Sequence, residues 1–198
     1  VLRKNGVEYA LTPTPGDSGY YHFAGTDLQV NIGDRFEIAV DYFGKMATGE
    51  TVIPQPPRNV RISASELVID SGVGFDTSSV TVSWDAENDE TFYFVTIENL
   101  EPVLTPINDR FGGLFGQVRA FRSRPIRQNF YPIRRFDLSY SGRHQVRVYK
   151  INDEYAKLYE LGLQDSRHLN EPETNIRNGL GIFSGFSSRT VEFVVRVN

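Results

Sequence analysis

The segment from Ser79 to Ala86 contains the only tryptophan of the chain and constrains the fold most. Val80, Val82 and Trp84 alternate there with polar residues, and a period of two places the three side chains on one face of a strand. A tryptophan buries roughly 150–250 Å² and usually anchors packing. We therefore predict that Trp84 lies in the core of a β-sandwich.

Other segments alternate in the same way. Residues 91–98 place Tyr93 and Val95 on one face and Phe92 and Phe94 on the other, so both faces are apolar and the outer one should be covered. The dipeptide at positions 5 and 6, Asn-Gly, predicts a two-residue hairpin turn. One core should contain the inward residues of four strands: Trp84, Val82, Val95, Val146, Val148, Phe193 and Val195.

A chain of 198 residues can form one large domain or two small ones. The proline-rich residues 54–58 favour a stiff, extended linker, because proline cannot donate to a β-ladder. We predict an all-β fold of two β-sandwich, immunoglobulin-like domains, over residues 1–53 and 59–198. In the second domain, the sequence predicts long loops over 102–135 and one short helix, 153–161, inserted before the last strand.

The glycine-rich and asparagine-rich segment 170–188 is predicted to be an ordered loop rather than a flexible one. Four apolar side chains lie close together in it, and such a cluster is unfavourable in water. These residues are Ile176, Leu180, Ile182 and Phe183.

Composition excludes several classes of function. A net charge of −4 and a pI near 5.4 disfavour nucleic-acid binding by the whole molecule. The absence of cysteine excludes a disulfide framework and a thiolate nucleophile. No apolar run approaches the roughly 20 residues of a membrane-spanning helix.

Catalytic and metal-binding signatures are weak. The histidines, His22, His144 and His168, lack metal-ligand spacing, and no serine has the nucleophile-elbow pattern. Four acids share one turn between strands, where they could hold calcium or form a solvated turn: Asp85, Glu87, Asp89 and Glu90. We expect no enzyme activity and no cofactor, with a carboxylate-pair hydrolase as an alternative.

The segment 107–135 stands out by its charge, because it carries seven arginines, no lysine and one acid, Asp109. Aromatic residues lie between the arginines, a composition that suits anion binding and stacking. The alternative is an internal surface that pairs with acidic residues elsewhere in the chain. The candidate partner-binding residues are Arg119, Arg122, Arg124, Arg127, Phe121, Phe130 and Tyr131.

The second half resembles a fibronectin type III sandwich. The segments 56–62, 80–84, 93–97 and 144–152 have the order and spacing of strands A, B, C and F in that family. Leu138 precedes position 144 by six residues, as a leucine precedes the corner tyrosine of that family, but position 144 is histidine.

Nearly the whole chain is similar to a Bacteroidota family of lipoproteins of unknown function, domain of unknown function 4249. The resemblance rests on the β-rich front, the proline hinge, the late helix and, most specifically, the segments Glu171-Pro172 and 175–186. It implies a carboxypeptidase-regulatory-like first half and a lipid attached upstream of residue 1. It also implies an outer-membrane location in the cell envelope, and it supplies no catalytic residues.

These observations predict a non-catalytic binding or scaffolding module of an outer-membrane lipoprotein, linked to nutrient uptake. Its expected partner is an outer-membrane transporter or an anionic glycan, and its expected membrane attachment is through the lipid. A glycan-binding or protein-binding adhesin module is the other alternative.

Overall fold

The computed structural model describes residues 1–16, 19–70, 78–88, 91–107, 118–160 and 174–198. Within them the strands are β1 (Leu2–Lys4), β2 (Val7–Tyr9), β3 (Thr12–Pro13), β4 (Tyr21–His22), β5 (Arg35–Tyr42), β6 (Lys45–Val52), β7 (Arg61–Ile62), β8 (Glu66–Ile69), β9 (Ser79–Ser83), β10 (Phe92–Asn99), β11 (Ala120–Arg122), β12 (Phe130–Arg134), β13 (Gly142–Ile151), β14 (Ile176–Arg177) and β15 (Phe186–Val197). Helix α1 is Asp153–Glu160, and Arg135–Asp137 forms a 3-10 turn. The prediction of an all-β fold with one short helix is confirmed, while Leu161, its predicted last residue, lies outside the described residues.

The chain divides into two compact units whose boundaries differ from the predicted domains. Unit 1 comprises Val1–Gln55 and Ile151–Ser187, and unit 2 comprises Pro56–Lys150 and Ser188–Asn198. The first boundary falls inside the predicted linker. The predicted second domain, 59–198, must be corrected, because its late segment, including helix α1, belongs to unit 1.

Unit 1 needs this late segment to complete its sheet. The order of the five strands is β14-β6-β5-β1-β2, and β3 and β4 form a separate ribbon. Strand β14 pairs with β6, with Ile176 opposite Gly49. Asn175 Nδ2 donates to the carbonyl of Glu50 at 3.2 Å, and the backbone N–H of Gly185 donates to Thr51 Oγ1 at 2.8 Å. Residues 1–53 supply four of the five strands, and the late segment supplies the fifth.

The described part of the loop 170–188 is held mainly by hydrogen bonds. Asn175 Nδ2 donates to the carbonyl of Phe183 at 2.7 Å, and Asn175 Oδ1 accepts from the N–H of Phe183 at 2.9 Å. Ile176, Ile182 and Phe183 are partly buried. The prediction was wrong for Leu180, which is 72% exposed because it follows the turn at Asn178. Residues 170–173 lie outside the described residues.

Unit 2 is a sandwich of two sheets. One has the order β11-β10-β13-β15-β8 and the other β12-β9-β7. The strands predicted as A and B are β7 and β9, in the smaller sheet, and those predicted as C and F are β10 and β13, in the larger sheet. The core draws on both sheets, and all seven predicted core residues belong to it. Trp84 is fully buried there, as predicted.

Candidate functional site

The outer face of the larger sheet of unit 2 carries aromatic rings that are nearly as buried as the core. Along β10, Tyr93 and Val95 point inward and belong to the core cluster. Phe92 and Phe94 alternate with them on the outer face, yet they are only 8% and 7% exposed. The prediction that this face is covered is therefore confirmed.

The covering groups are a tyrosine and two of the predicted arginines. Tyr149, from β13, stacks on Phe94 with ring centroids 4.4 Å apart and an interplanar angle of 16°. The Arg122 guanidinium carbon lies 5.7 Å from the centre of the Phe94 ring. That of Arg127 lies 4.3 Å from the centre of the Phe92 ring. Both distances fall within the range of cation–π attraction.

A third arginine, outside the predicted segment, extends this arrangement. The Arg147 guanidinium carbon lies 5.9 Å from the Tyr149 ring centre, and Arg147 Nη2 donates to Gln145 Oε1 at 2.9 Å. Its position two residues before Tyr149 on one strand is the sequence signal that could have identified it. The arginine–aromatic face, as we name it, consists of Phe92, Phe94, Tyr149, Arg122, Arg127 and Arg147.

Several arginines in and near the face have no carboxylate partner among the described residues. Within the described part of the chain, no carboxylate lies within ion-pair distance of Arg122, Arg124 or Arg147. Unit 2 contains fourteen basic and twelve acidic residues, whereas unit 1 contains seven basic and thirteen acidic ones. A guanidinium carries five N–H donors and can contact a ring while it still donates to an anion.

An open cleft of about 470 Å³ adjoins the face at Arg127. It is lined by Ala86, Glu87, Asn88, Tyr93, Arg127, Gln128 and Asn129. Glu87 forms an ion pair with Lys150, and Asn129 Nδ2 donates to the carbonyl of Trp84 at 3.1 Å. Burial, together with the charge of Glu87, raises the pKa of Tyr93 to about 12, so Tyr93 stays neutral.

Two predicted aromatic residues do not belong to the face. Phe121 and Tyr131 pack against the core, with ring centroids 6.0 Å apart. Burial raises the pKa of Tyr131 to about 12, and its hydroxyl donates to Asp137 Oδ1 at 3.4 Å. Phe121 points inward because it pairs with Ile97 on β10. These two residues must be removed from the candidate binding surface.

The other predicted residues lie apart from the face. Phe130 is 46% exposed on β12, in the smaller sheet. Arg119 Nε and Nη2 donate to the carbonyls of Asn99 and Glu101, at 3.2 and 3.3 Å, so this arginine secures the backbone. Arg124 is exposed in the loop after β11. The structure therefore brings together Arg122 and Arg127 of the four predicted arginines.

His144 has a structural role in the core of unit 2. It is 3% exposed and stacks on Phe193 with ring centroids 5.4 Å apart. Its Nδ1–H donates to the carbonyl of Gly142 at 3.0 Å, while Nε2 accepts from Asn99 Nδ2 at 3.3 Å. These bonds hold the imidazole ring in place in the core.

We expect the stability of unit 2 to fall in mild acid through His144. Burial lowers the pKa of His144 below its ordinary 6.5, so the unfolded chain binds this proton more readily than the folded chain. The contribution of neutral His144 to the free energy of unfolding is complete above pH 6.5. It is lost as the pH falls toward the lower pKa that His144 has in the folded chain. Melting curves from about pH 7 to about pH 5 should show a smaller decrease in Tm for His144→Tyr than for the wild type. Equal decreases would contradict this assignment.

The acidic turn shows no metal site among its described residues. Asp85 Oδ2 accepts from Asn59 Nδ2 at 2.7 Å, Asp85 also lies 3.8 Å from Arg61, and Glu87 pairs with Lys150. Asp89, Glu90 and His168 lie outside the described residues. In the part of the chain that is described, no three His, Cys, Asp or Glu residues come together as metal ligands.

Fold and site define an all-β protein of two units, one of which is a sandwich with a cationic aromatic outer face. The family model described as "Domain of unknown function (DUF4249)" matches residues 1–192. The chain belongs to this family, as the sequence resemblance predicted. No curated protein matches the chain. Among the described helices, none has the length and apolar character needed to cross a membrane.

Proposed function

We propose that the chain is a non-catalytic binding module and that its arginine–aromatic face binds an anionic glycan. The observation that carries this proposal is the set of three guanidinium groups that lie within about 6 Å of aromatic ring centres on an outer sheet face. Two of them, Arg122 and Arg147, have no carboxylate within ion-pair distance among the described residues. A concentration of positive charge on one face raises the local concentration of anions.

The chemistry of the face suits the carboxylate of a uronic acid. A guanidinium presents parallel N–H donors that match the two oxygens of a carboxylate. The cleft beside Arg127 adds the amide groups of Asn88 and Gln128, which can bond sugar hydroxyls. Charge should supply association rate and salt sensitivity more than affinity.

We further propose that the module belongs to an outer-membrane lipoprotein of Bacteroidota, anchored by a lipid upstream of residue 1. An outer-membrane transporter is its proposed partner in nutrient uptake. The proposed location, lipid anchor and transporter partner all rest on the family resemblance. A gene for a TonB-dependent transporter next to the gene of this protein would support them, and repeated absence of such a neighbour would count against them.

The binding proposal predicts weaker retention on an anionic matrix when the arginines are neutralised. Replacing Arg122, Arg124, Arg127 and Arg147 with glutamine, while Arg119 is kept because it secures the backbone, should lower the salt concentration that elutes the protein from heparin-agarose. Folding should be nearly unchanged, because each lost cation–π contact costs only about 0.5–1 kcal/mol. Elution salt and Tm are measured on the same preparations.

A matched control removes four charges elsewhere in unit 2. Arg58, Arg61, Arg134 and Arg135 lie in or next to the strands of the smaller sheet. Their replacement with glutamine should lower the elution salt far less. Equal losses in both variants would mean that net charge alone retains the protein, and unfolding of the first variant would assign its arginines a structural role.

A further inference from the structure

The turn between β5 and β6 in unit 1 has an unusual occupant. Phe43 and Gly44 form a two-residue turn with φ values of 50° and 77°. The turn between β1 and β2 has the same form, with φ values of 51° and 80°, and contains the expected Asn5-Gly6. Both positions of such a turn need positive φ, which asparagine and glycine tolerate and a bulky side chain does not.

No burial compensates for this strained backbone. Phe43 is 89% exposed and the preceding Tyr42 is 71% exposed. Their rings touch only edge to face, with centroids 4.7 Å apart at 81°. A residue retained in an unfavourable conformation often marks a functional contact. A contact with a partner outside the chain therefore explains the presence of phenylalanine at position 43 better than a role in folding does.

Apolar side chains surround this turn on both faces of the hairpin. Val40, 50% exposed, shares a face with Tyr42, whereas Met46, 46% exposed, lies on the opposite face. A flat protein surface can cover only one face of a ribbon. Apolar groups on both faces and at the end suit insertion into a medium that surrounds the turn. We name Val40, Tyr42, Phe43 and Met46 the hairpin tip.

The charges near the hairpin tip indicate into which medium it inserts. Asp41 and Lys45 flank the turn and cancel each other, and unit 1 as a whole is acidic, so an anionic surface would repel it. Tyrosine is favoured at membrane interfaces, and a lysine stem can extend its amine to lipid phosphate. We infer that the hairpin tip inserts into the interfacial layer of a zwitterionic phospholipid bilayer.

This inference is tested by flotation with phosphatidylcholine vesicles at millimolar lipid. The wild type should float with the vesicles, and Phe43→Asn should reduce the partition coefficient about tenfold. The same substitution should raise Tm by about 2–4 °C, because asparagine relieves the turn. A variant that is more stable yet binds less cannot have lost binding through unfolding.

Two control variants sharpen the result. Phe136→Asn removes a phenylalanine that is 85% exposed in unit 2 and should leave flotation unchanged, while Phe43→Trp should retain it. Failure of the wild type to float, equal flotation of Phe43→Asn, or no rise in Tm would each overturn the inference. Flotation only with anionic phosphatidylglycerol vesicles would also overturn it and would assign lipid binding to the arginines. The hairpin tip and the arginine–aromatic face lie in different units, so either proposal can fail alone.

Discussion

Replacing Trp84 with alanine is expected to lower the free energy of unfolding of unit 2 by about 3–5 kcal/mol. The side chain is fully buried, and its ring centroid lies 5.1 Å from that of Tyr93. Its backbone N–H donates to the carbonyl of Asn129 at 3.0 Å, so the surrounding chain is held and cannot close the cavity fully. Large cavities of this kind are costly because the lining atoms lose their contacts.

The measurement is urea unfolding followed by circular dichroism. Fluorescence is unsuitable, since Trp84 is the only tryptophan and the variant removes the probe. Trp84→Phe, which leaves a smaller cavity, should lose clearly less stability than Trp84→Ala. A loss below about 1 kcal/mol for the alanine variant would contradict the position of Trp84 in the core.

Replacing Phe94 with alanine is expected to cost about 3 kcal/mol, although this residue lies on the outer face of a sheet. An outer-face side chain is ordinarily solvated and contributes little. Phe94 is instead 7% exposed, stacked by Tyr149 and covered by Arg122. Its loss removes the support of both groups and should therefore weaken anion binding as well as stability.

Phe130→Ala is the matched comparison for Phe94→Ala. Phe130 lies on β12 and is 46% exposed, so its truncation should cost less than about 1 kcal/mol. Unfolding in urea and elution from heparin-agarose are measured for both variants. If the two variants lose equal stability, the outer face is not a packed layer, and the Phe94 ring does not hold Arg122 in a fixed position.

The core of unit 2 could be predicted from sequence because its signal is local. Alternation alone places Val82, Val95 and Val146 on inward faces, and no long-range information is needed. Phe121 was wrongly placed among the candidate binding residues because its strand has only three residues, too few for an alternating pattern. Its inward direction follows from its pairing with Ile97 on β10. The role of Arg147 depends on which strands are neighbours, and composition does not contain that information.

The extent of unit 1 could not be predicted, because the strand that completes its sheet is short and pairs with a distant part of the sequence. Strand β14 has two residues, too few for a periodic pattern, and it joins β6 across more than 120 positions of sequence. Asn175, which fixes that segment, resembles any loop asparagine until its partners are known. In contrast, the hairpin at Asn5-Gly6 was predicted and is confirmed, because a two-residue turn is encoded by the residues that form it.

We propose that the arginine–aromatic face binds an anion through Arg122 and Arg127. Calorimetric titration with oligogalacturonate, which carries one carboxylate per sugar, tests it most directly when repeated at rising salt. We expect binding that weakens with salt and falls at least about tenfold in the variant with both arginines replaced by glutamine. We also expect nearly unchanged binding when Arg61 and Arg134 are replaced instead. Wild-type binding that is absent, insensitive to salt or equally reduced in both variants would contradict the proposal.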